Sequence, residues 1–333
     1  MSKVSLKIGF FTLLLGVIVF IALGVGKYTL TPEDIGSLIT QWLVGDEVQD
    51  TAYTVFWHIR LPRVLAAIVI GAGLSIAGAA YQGMFRNPLV SPDILGVSSG
   101  AALGALIAIF LDFSILHIQL FAFIGGVAVV TLVYSLARFA RRHDPVLSMV
   151  LIGIAIGTLC GAGASLLKVL ADPYTQLPTI TFWLLGGLST TTLADLASAL
   201  PVMFCGLLPL ILLRWRMNLL SLPDEEAQAL GVNVQRNRII FILSATLITA
   251  SAVSISGIIG WVGLVIPHIS RLIIGPNFAR LLPLSVLLGA AFLLLTDTLA
   301  RTIAPIELPL GVLTSCIGAP FFLMLLMRTG RRA

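Results

Sequence analysis

Charged residues are scarce in this chain of 333 residues, because Asp, Glu, Lys and Arg together make up only 11% of it. A soluble domain averages about 25% charged residues, so this shortage excludes an ordinary water-soluble domain. Apolar runs take the place of the missing charge, and 58% of the residues are hydrophobic. The runs are continuous and do not alternate with polar residues, which excludes a membrane β-barrel and predicts spanning helices. We therefore expect an all-α polytopic membrane protein, with residues 1–333 forming one transmembrane domain.

Cysteine is rare as well, and the motifs of common catalytic sites are missing. The three cysteines, Cys160, Cys205 and Cys316, each lie inside an apolar run without the spacing of metal ligands. We interpret them as small buried hydrophobic residues. The sequence contains no G-x-x-x-x-G-K-[ST] and no H-E-x-x-H, so it offers neither a P-loop nor this metalloprotease motif. We predict no catalytic residue, no metal site and no cofactor bound by this chain.

Ten apolar segments are candidates for membrane spans. They cover residues 8–26, 64–85, 94–111, 119–139, 147–170, 193–213, 239–258, 262–274, 281–303 and 310–327. The first run is too long for a signal peptide, so we interpret it as a span. Residues 180–188 are too few to span, and we predict a re-entrant or surface helix there.

The distribution of Lys and Arg predicts how the spans are oriented. If the amino terminus is cytoplasmic and the spans alternate, only five of the 20 basic residues lie outside, namely Lys27, Arg60, Arg63, Lys168 and Arg301. An excess of basic residues in cytoplasmic loops is the usual pattern. We therefore predict that both termini and the loop 219–238 are cytoplasmic. The isoelectric point near 9.4 follows from this topology and indicates no nucleic-acid partner.

The loop 219–238 is the one long polar interval in the second half of the chain, and it reads LLSLPDEEAQALGVNVQRNR. Ser221 followed three residues later by Asp224 suggests a capping box. Gly231 suits a left-handed helix end, and Asn233 can cap the next helix. We predict a short helix, a glycine break and a second turn. Such an element is either a docking site for a partner or a solvated loop, and the local pattern leaves both open.

Two further stretches combine Pro and Gly where spans break. In residues 82–104, we expect Asp93 in the first turn of the third span, where the helix dipole favours it. In residues 257–271, we expect a proline to end the short span and His268 and Arg271 to lie at the cytoplasmic edge. The residues predicted to break helices or to allow close packing are Asn87, Pro88, Pro92, Gly96, Gly100 and Pro267. Tight packing alone is the simpler explanation of the glycines.

A short internal echo links the two halves of the chain. Residues 75–78 read SIAG in the second span, and residues 254–257 read SISG in the seventh. Each is followed by a broken segment that contains Pro and Gly. Because the two spans run in opposite directions, the echo suggests an inverted-topology repeat, which is common in transporters.

Three arginines at the outer surface are candidates for a second site. Arg60 and Arg63 lie where the chain enters the membrane from outside, and Arg301 lies at the outer end of the ninth span. They are either snorkelling anchors or guanidinium groups that pair with carboxylates on an external partner. Asp297 and Arg301 are spaced i,i+4 near Glu307, which favours an ion pair over a proton site.

Five blocks of sequence together resemble the permease subunits of ABC importers for iron–siderophores, haem and cobalamin. The blocks are RLPR, QGMFRNPLVSPDILGVSSGAALGA, DEEAQALGV, GLVIPHISR and ELPLGVLTSCIGAPFF. They occur in order from about Arg60 to Arg328. The resemblance implies ten spans per subunit in a bacterial inner membrane, and a dimer with an identical or closely related second permease copy.

The resemblance also implies partners and the residues that meet them. Two cytoplasmic ATPase subunits, which hold ATP and Mg, would dock on a coupling helix formed by Pro223, Asp224, Glu225, Glu226, Ala227, Ala229, Leu230, Gly231 and Val232. A periplasmic substrate-binding protein would place carboxylates on Arg60, Arg63 and Arg301. A cytoplasmic gate would lie near Arg142, Asp144 and Pro145.

The substrate implied by the resemblance is a metal chelate. The wording SPDILGVSSG is most similar to the iron–siderophore branch, and haem, cobalamin and molybdate are the alternatives within the family. An ion-coupled secondary transporter is the alternative class, which would need carboxylates in the middle of the membrane. A membrane-embedded enzyme is a further alternative, for which the sequence offers no catalytic constellation.

Overall fold

The computed structural model describes residues 3–45, 50–139 and 145–329, and this part of the chain contains helices and no strands. The first half consists of α1 (Lys3–Gly24), α2 (Pro32–Val44), α3 (Thr51–Tyr53), a π-helix (Thr54–Arg60), α4 (Leu61–Met84), a 3-10 turn (Pro92–Leu95), α5 (Val97–Phe110), α6 (Ile115–Phe139), α7 (Pro145–Leu170) and α8 (Gln176–Leu185). The second half consists of α9 (Leu193–Leu212), α10 (Arg214–Leu220), α11 (Asp224–Ala229), α12 (Val234–Ser256), α13 (Val262–Ile274), α14 (Phe278–Ala300) and α15 (Leu310–Thr329).

Each of the ten predicted spans is a helix. Seven helices are long and apolar enough to cross a membrane, and α5, α13 and α15 supply three shorter apolar helices. The predicted helix at 180–188 is α8, which covers Gln176–Leu185. The all-α polytopic fold is therefore confirmed, with most boundaries within a few residues of the expectation.

The helices α4 and α12 form the centre of the bundle. In their most apolar windows 78% and 72% of the residues are buried, against 11% in α1. Small residues allow this, because backbones must approach closely where the surrounding lipid supplies no hydrophobic drive. A Cβ on Gly71 would lie 2.3 Å from the Gly289 carbonyl oxygen, and a Cβ on Gly78 would lie 1.8 Å from that of Gly263. Glycine is thus required where α4 touches α14 and α13.

The packing around this centre is repeated between the two halves. The helix α4 packs against α13 and α14, while α12 packs against α5 and α6. The pair α5 and α6 is also in contact, as is the pair α13 and α14. This reciprocal arrangement supports the inverted repeat that the SIAG and SISG echo suggested, because the echo lies in the two central helices.

The helix α2 and the turns that follow it were not predicted. Thr31 caps α2 in a capping box with Asp34, and Pro32 occupies its first turn. The sequence T-P-E-D was the available signal, since a capping residue, a proline and early acids mark a helix start.

The breaks after α4 lie close to their predicted places, with two corrections. The helix ends at Met84, before Asn87 and Pro88, and Asn87 Oδ1 accepts a hydrogen bond from the Leu89 N–H at 2.9 Å. Asp93 does not lie in the first turn of the third span, because it belongs to the 3-10 turn and α5 begins only at Val97. Gly96, with φ +80°, forms the junction, so it does not belong to the helical face of Gly100.

Pro267 does not end its helix, which corrects the prediction. The helix α13 continues to Ile274 with Pro267 in its interior. A proline leaves the carbonyl four residues earlier without its usual donor, and here that carbonyl belongs to Gly263. The side chain of Gln82 in α4 donates to the Gly263 carbonyl at 3.3 Å and to the Leu264 carbonyl at 3.0 Å. A neighbouring helix therefore supplies the missing donor, as membrane helices with internal proline require.

We expect Gln82→Leu to destabilise the bundle by about 1–3 kcal/mol, because the buried Gly263 carbonyl loses its donor and the Leu264 carbonyl and Arg271 each lose a hydrogen-bond partner. Pro267→Ala should reduce this cost by roughly 1 kcal/mol, since an alanine N–H at 267 can donate to the Gly263 carbonyl. The measurement is a double-mutant cycle of unfolding in detergent. Strictly additive effects of the two substitutions would contradict the compensation.

The contact between Gly78 and Gly263 gives a second stability prediction. Gly78→Ala should cost about 1–3 kcal/mol or more, because the new methyl group would force two backbones apart. The matched control is Gly161→Ala in α7, where a Cβ meets nothing within 4 Å. The control should be neutral or stabilising by up to about 1 kcal/mol, since alanine favours helix over glycine. Equal thermal stability of the two variants would contradict the close approach of α4 and α13.

Candidate functional site

The candidate residues fall at the two opposite ends of the bundle. We call the end that carries α11 the loop end, and the end that carries Arg60, Arg63 and Arg301 the arginine end. At the loop end, Lys7 Nζ near the start of α1 donates to the Ile273 carbonyl at 2.7 Å. The amino-terminal end of α1 and the loop therefore share one side of the bundle, in agreement with the predicted alternation of spans.

At the loop end, α11 is a short helix of about one and a half turns. It covers Asp224–Ala229 and ends in a Schellman arrangement, in which the Val232 N–H donates to the Ala227 carbonyl at 3.1 Å. Gly231 has φ +81°, so the predicted left-handed break is confirmed. The Asn233 side chain accepts from the Arg236 N–H at 2.9 Å and caps α12, also as predicted.

The predicted cap at Ser221 is wrong. Its Oγ donates to the Asn218 carbonyl at 2.6 Å and not to α11. Pro223 occupies the N-cap position of α11 without a side-chain hydrogen bond. The reason is that the Asp224 carboxylate pairs with two arginines, one that follows α4 and one in α12, and so cannot complete a capping box.

The Asp224 carboxylate joins α11 to both central helices. Arg86, which follows α4, pairs with Asp224 Oδ1, and Arg238 Nη2 in α12 lies 3.1 Å from Asp224 Oδ2. The Arg238 side chain is only 10% exposed, so this carboxylate is its counter-charge in a largely desolvated place. The result is a clamp that ties the start of α11 to the two most buried helices.

The nine predicted docking residues divide into an outer and an inner face. Ala227 and Val232 are buried in the core of the chain itself, so they anchor α11 and are not available to a partner, which corrects their assignment. Leu230 is 60% exposed. The other members with exposed surface are Pro223, Glu225, Glu226, Ala229 and Gly231, with Asp224 half-exposed. The loop end thus presents a small convex helix with an apolar tip and an acidic flank.

The residues near this end that were predicted to break helices or to allow close packing have different roles in the structure. Gly100 allows close packing, because a Cβ there would lie 2.5 Å from the Gly125 carbonyl oxygen of α6. Pro92 begins the 3-10 turn. Arg271 donates to Gln82 Oε1, so it holds the side chain that donates to the α13 carbonyls before Pro267 and does not join the exposed face of α11. Of the predicted gate, Arg142 and Asp144 lie outside the described residues, and Pro145 is the first residue of α7.

At the arginine end, Arg63 is the centre of a buried ion cluster. Its Nε donates to both Asp297 carboxylate oxygens at 2.8 and 3.0 Å, and its Nη1 donates to both Glu307 oxygens at 2.9 and 3.0 Å. The Asp297 side chain is 0% exposed, whereas that of Glu307 is 42% exposed. Glu307 therefore closes the cluster on its water-facing side.

The other two arginines are satisfied mainly by the backbone of α1 and the turn after it. Arg60 Nη1 donates to the carbonyls of Leu23 and Gly24 at 2.6 and 2.7 Å. Arg301 donates to the Ala22 carbonyl, and its Nε lies 3.7 Å from Asp297 Oδ2. The predicted i,i+4 pair of Asp297 and Arg301 is confirmed, although the shorter bonds to Asp297 come from Arg63.

These contacts change what the arginines offer to an external partner. Each of the three is at most 7% exposed, so none presents a free guanidinium on the surface of the single chain. The cluster nevertheless holds three arginines and two carboxylates, which leaves one positive charge in excess. An external carboxylate could use that charge only by displacing an internal contact. Docking at these arginines stays a prediction.

A cavity of about 490 Å³ lies beside this cluster, and its lining includes Arg63, Glu307, Gln119 and Asp195. Most of the wall is apolar, and Gln119 donates to Asp195 at 2.8 Å. In the described ranges no three His, Cys, Asp or Glu side chains come together as metal ligands would. The geometry at both ends therefore offers recognition by charge and shape.

The comparison with known proteins points to one family. A model of the FecCD transport family matches residues 12–328. The molybdate import system permease protein MolB of Haemophilus influenzae is 40% identical over 321 residues, which cover 96% of this chain and 95% of that protein. The probable iron chelatin transport system permease protein of Helicobacter pylori is 45% identical over 275 residues, or 83% of each chain. A solved structure, an inward-facing conformation of a metal-chelate type ABC transporter, aligns with a TM-score of 0.86 at 38% identity and covers 97% of this chain and 99% of that one.

Proposed function

Because the chain belongs to the FecCD transport family, we propose that it is the transmembrane permease subunit of an ATP-driven importer that passes a metal chelate into the cytoplasm. The observation that carries this proposal is the construction of α11. Its tip at Leu230 is 60% exposed, whereas its inner face and the Asp224 clamp fix it to α4 and α12. An element that is rigidly held yet exposed suits the transmission of movement from a partner.

The proposed partners follow from the two ends of the bundle. Two cytoplasmic ATPase subunits, which bind ATP and Mg, dock on α11 of this chain and of a second permease copy. A periplasmic substrate-binding protein docks at the arginine end. The chain itself holds no cofactor and carries out no hydrolysis. ATP drives the cycle because the nucleotide binds the two states of the ATPases with different affinity.

The proposed location is the bacterial inner membrane, with both termini and α11 in the cytoplasm. The excess of Lys and Arg on the side of α11 supports this orientation. The contact between Lys7 and Ile273 supports it further, since the start of α1 and the loop share one end of the bundle. The arginine end then faces the periplasm.

The proposed cargo is a ferric siderophore. Two observations support it: the segment SPDILGVSSG and the similarity to a relative named for iron chelatin transport. Molybdate is the second candidate, because the relative named for molybdate import matches nearly the full length of this chain. Haem and cobalamin remain alternatives from the family resemblance. Uptake of radiolabelled ferric siderophores and molybdate into cells with and without the intact system separates these candidates. Accumulation of molybdate without the ferric chelate would overturn the proposed cargo.

An ion-coupled secondary transporter fits the described residues less well. Such a protein needs ionisable groups along its path through the membrane. Asp297 is fully buried, but it accepts two hydrogen bonds from Arg63 and lies one turn from the end of α14. A carboxylate held this way between two guanidinium groups serves as a counter-ion and not as a proton carrier.

Docking at the arginine end leads to a prediction about Glu307. If an external carboxylate binds Arg63, it competes with Glu307, which occupies the same guanidinium from the water-facing side. Glu307→Gln removes the competing charge, so the binding protein of the same system should dock roughly threefold to tenfold more tightly at low salt. Titration of that protein onto the permease in lipid nanodiscs measures the effect.

The control for this prediction is Glu33→Gln, which removes one exposed acid from α2 at the same end without a contact to the arginines. It should change the docking affinity little. A role of Glu307 in structure alone predicts the opposite sign, with weaker docking of Glu307→Gln because the end of the bundle is loosened. Unchanged or weaker docking would therefore contradict the competition.

A further inference from the structure

The helix α2 has two unlike faces, although the protein around it is almost wholly apolar. Successive residues of a helix turn by about 100°, which places the apolar residues from Ile35 to Leu43 on one side and the acids and hydroxyl residues on the other, while the last residue, Val44, lies on the polar side. The apolar face consists of Ile35, Leu38, Ile39, Trp42 and Leu43. The polar face consists of Glu33, Asp34, Ser37 and Thr40.

The core of the chain covers only the inner half of this apolar face. Ile35 and Leu38 are 5% and 3% exposed, because they pack in a small cluster with Leu30, Tyr53 and Phe56. In contrast, Trp42 is 53% exposed and Leu43 is 69% exposed. The ring of Trp42 lies 5.4 Å from that of Trp57, which fixes its position at the edge of the cluster. The exposed half of the apolar face of α2 therefore begins at the Trp42 ring, whose position is fixed by Trp57.

The uncovered surface of α2 continues the lipid-facing surface of α1. Leu23, near the end of α1, packs against the cluster that holds α2, and a Cβ on Gly24 would lie 4.0 Å from Ile35 Cδ1. The helix α1 is the least covered of the seven long spans, with Phe20 and Ile21 about half exposed. Exposed apolar residues thus lie on the end of a candidate span and on the α2 helix that packs beside it.

The charges of α2 indicate which part of the bilayer it fits. The helix carries two acids and no Lys or Arg. Hydrogen bonds from the Thr31 backbone and side chain hold the pKa of Asp34 below its usual range, so the polar face is anionic at neutral pH. Anionic headgroups would repel this face, whereas the boundary between headgroups and acyl chains accepts the apolar face. Tryptophan is the residue that favours this boundary.

We propose that α2 lies flat in the lipid–water boundary at the arginine end, with Trp42 and Leu43 inserted among the lipids and Glu33 and Ser37 facing water. The occupant of the uncovered apolar face is therefore the bilayer itself, and neither a second copy of the chain nor a soluble protein. The helix then braces α1 and the π-helix that carries Arg60 against the membrane surface. This inference depends on α1 being a span and not on the nature of the cargo.

Spin labels at two positions of α2 test the proposal directly. Cysteine is introduced by Leu43→Cys or by Ser37→Cys, in a chain whose three native cysteines are replaced by alanine, and the labelled protein is placed in phosphatidylcholine nanodiscs. The label at 43 should be relaxed mainly by oxygen, which concentrates in lipid, and the label at 37 mainly by a water-soluble nickel complex. The ratio of oxygen to nickel accessibility should be several-fold higher at 43.

Two outcomes would overturn the proposal. Nickel accessibility at both positions would mean that α2 stands in water, and shielding of position 43 from both reagents would mean that protein covers it. A second measurement serves if the cysteine-free chain folds poorly. In the unlabelled chain, lipids brominated near the headgroup should quench the fluorescence that Trp42→Phe removes, whereas acrylamide in the water should quench it little. The reverse pattern of quenching would also count against lipid contact.

Discussion

Replacing Ala229 and Leu230 with glutamate is expected to abolish association with the ATPase subunits and to abolish transport, while the chain still inserts and folds. Both side chains lie on the exposed face of α11, and Leu230 is 60% exposed, so the substitutions disturb the interior of the chain little. Two unpaired charges in a docked interface cost about 3 kcal/mol or more, which weakens binding by roughly 100-fold. The measurement is the amount of ATPase that purifies with the tagged variant, together with its yield of monodisperse protein.

The matched control carries the same two added charges at the arginine end, as Ser37→Glu with Thr40→Glu on the exposed face of α2. It should retain ATPase association and transport. A normal amount of bound ATPase in the Ala229→Glu, Leu230→Glu variant would remove α11 from the docking surface. Loss of folded protein in that variant would show instead that the face is buried in the chain.

Arg63→Met is expected to have the largest effect on stability of any substitution at the arginine end. It leaves the Asp297 carboxylate, which is 0% exposed, with Arg301 at 3.7 Å as its remaining cation. Removal of one partner from a buried ion pair costs about 3–5 kcal/mol, because the other charge stays desolvated without compensation. Equilibrium unfolding by SDS in mixed micelles should show this decrease in the free energy of unfolding.

A second substitution shows whether Arg63→Met lowers stability because it leaves a buried charge without a partner or because it removes contacts in general. Asp297→Leu in the Arg63→Met background removes the orphaned carboxylate, and it should restore most of the lost stability because ion pairs and apolar pairs of similar volume are often nearly equivalent. Lys168→Met deletes an exposed cation on the same side and should change stability by less than about 0.5 kcal/mol. A double variant less stable than Arg63→Met would contradict the assignment of Arg63 as the counter-charge of Asp297.

The sequence was sufficient for the spans and for the shape of the loop, because both depend on local pattern. Apolar runs gave ten helices, and Gly231 and Asn233 gave the end of α11 and the start of α12. The misreadings at Ser221 and Pro267 have a common cause. Asp224 pairs with Arg86 and Arg238 and does not form a capping box with Ser221. The Gly263 carbonyl, which Pro267 leaves without a backbone donor, accepts a hydrogen bond from Gln82. Each competing partner lies far away in the sequence or on another element, which local pattern does not reveal.

The sequence predicted which charged residues lie at the arginine end, but it did not predict how they pair or how deeply they are buried. The i,i+4 spacing of Asp297 and Arg301 was readable, but the stronger partner, Arg63, lies 234 positions away in the sequence. A count of charges offered a partial signal, since two acids and three arginines share the outer ends of α4, α14 and the segment before α15. The burial of Arg60 and Arg301 followed only from the packing of α1 beside them, because backbone carbonyls at the end of α1 accept their hydrogen bonds.

The most direct test of the proposed function is purification of the chain in mild detergent after expression from its native locus, followed by transport in vesicles with and without ATP. The proposal predicts that an ATPase subunit purifies with the chain in equal amount and that uptake requires ATP. A homogeneous chain without an ATPase, which still transports when only an ion gradient is supplied, would contradict it and favour a secondary transporter.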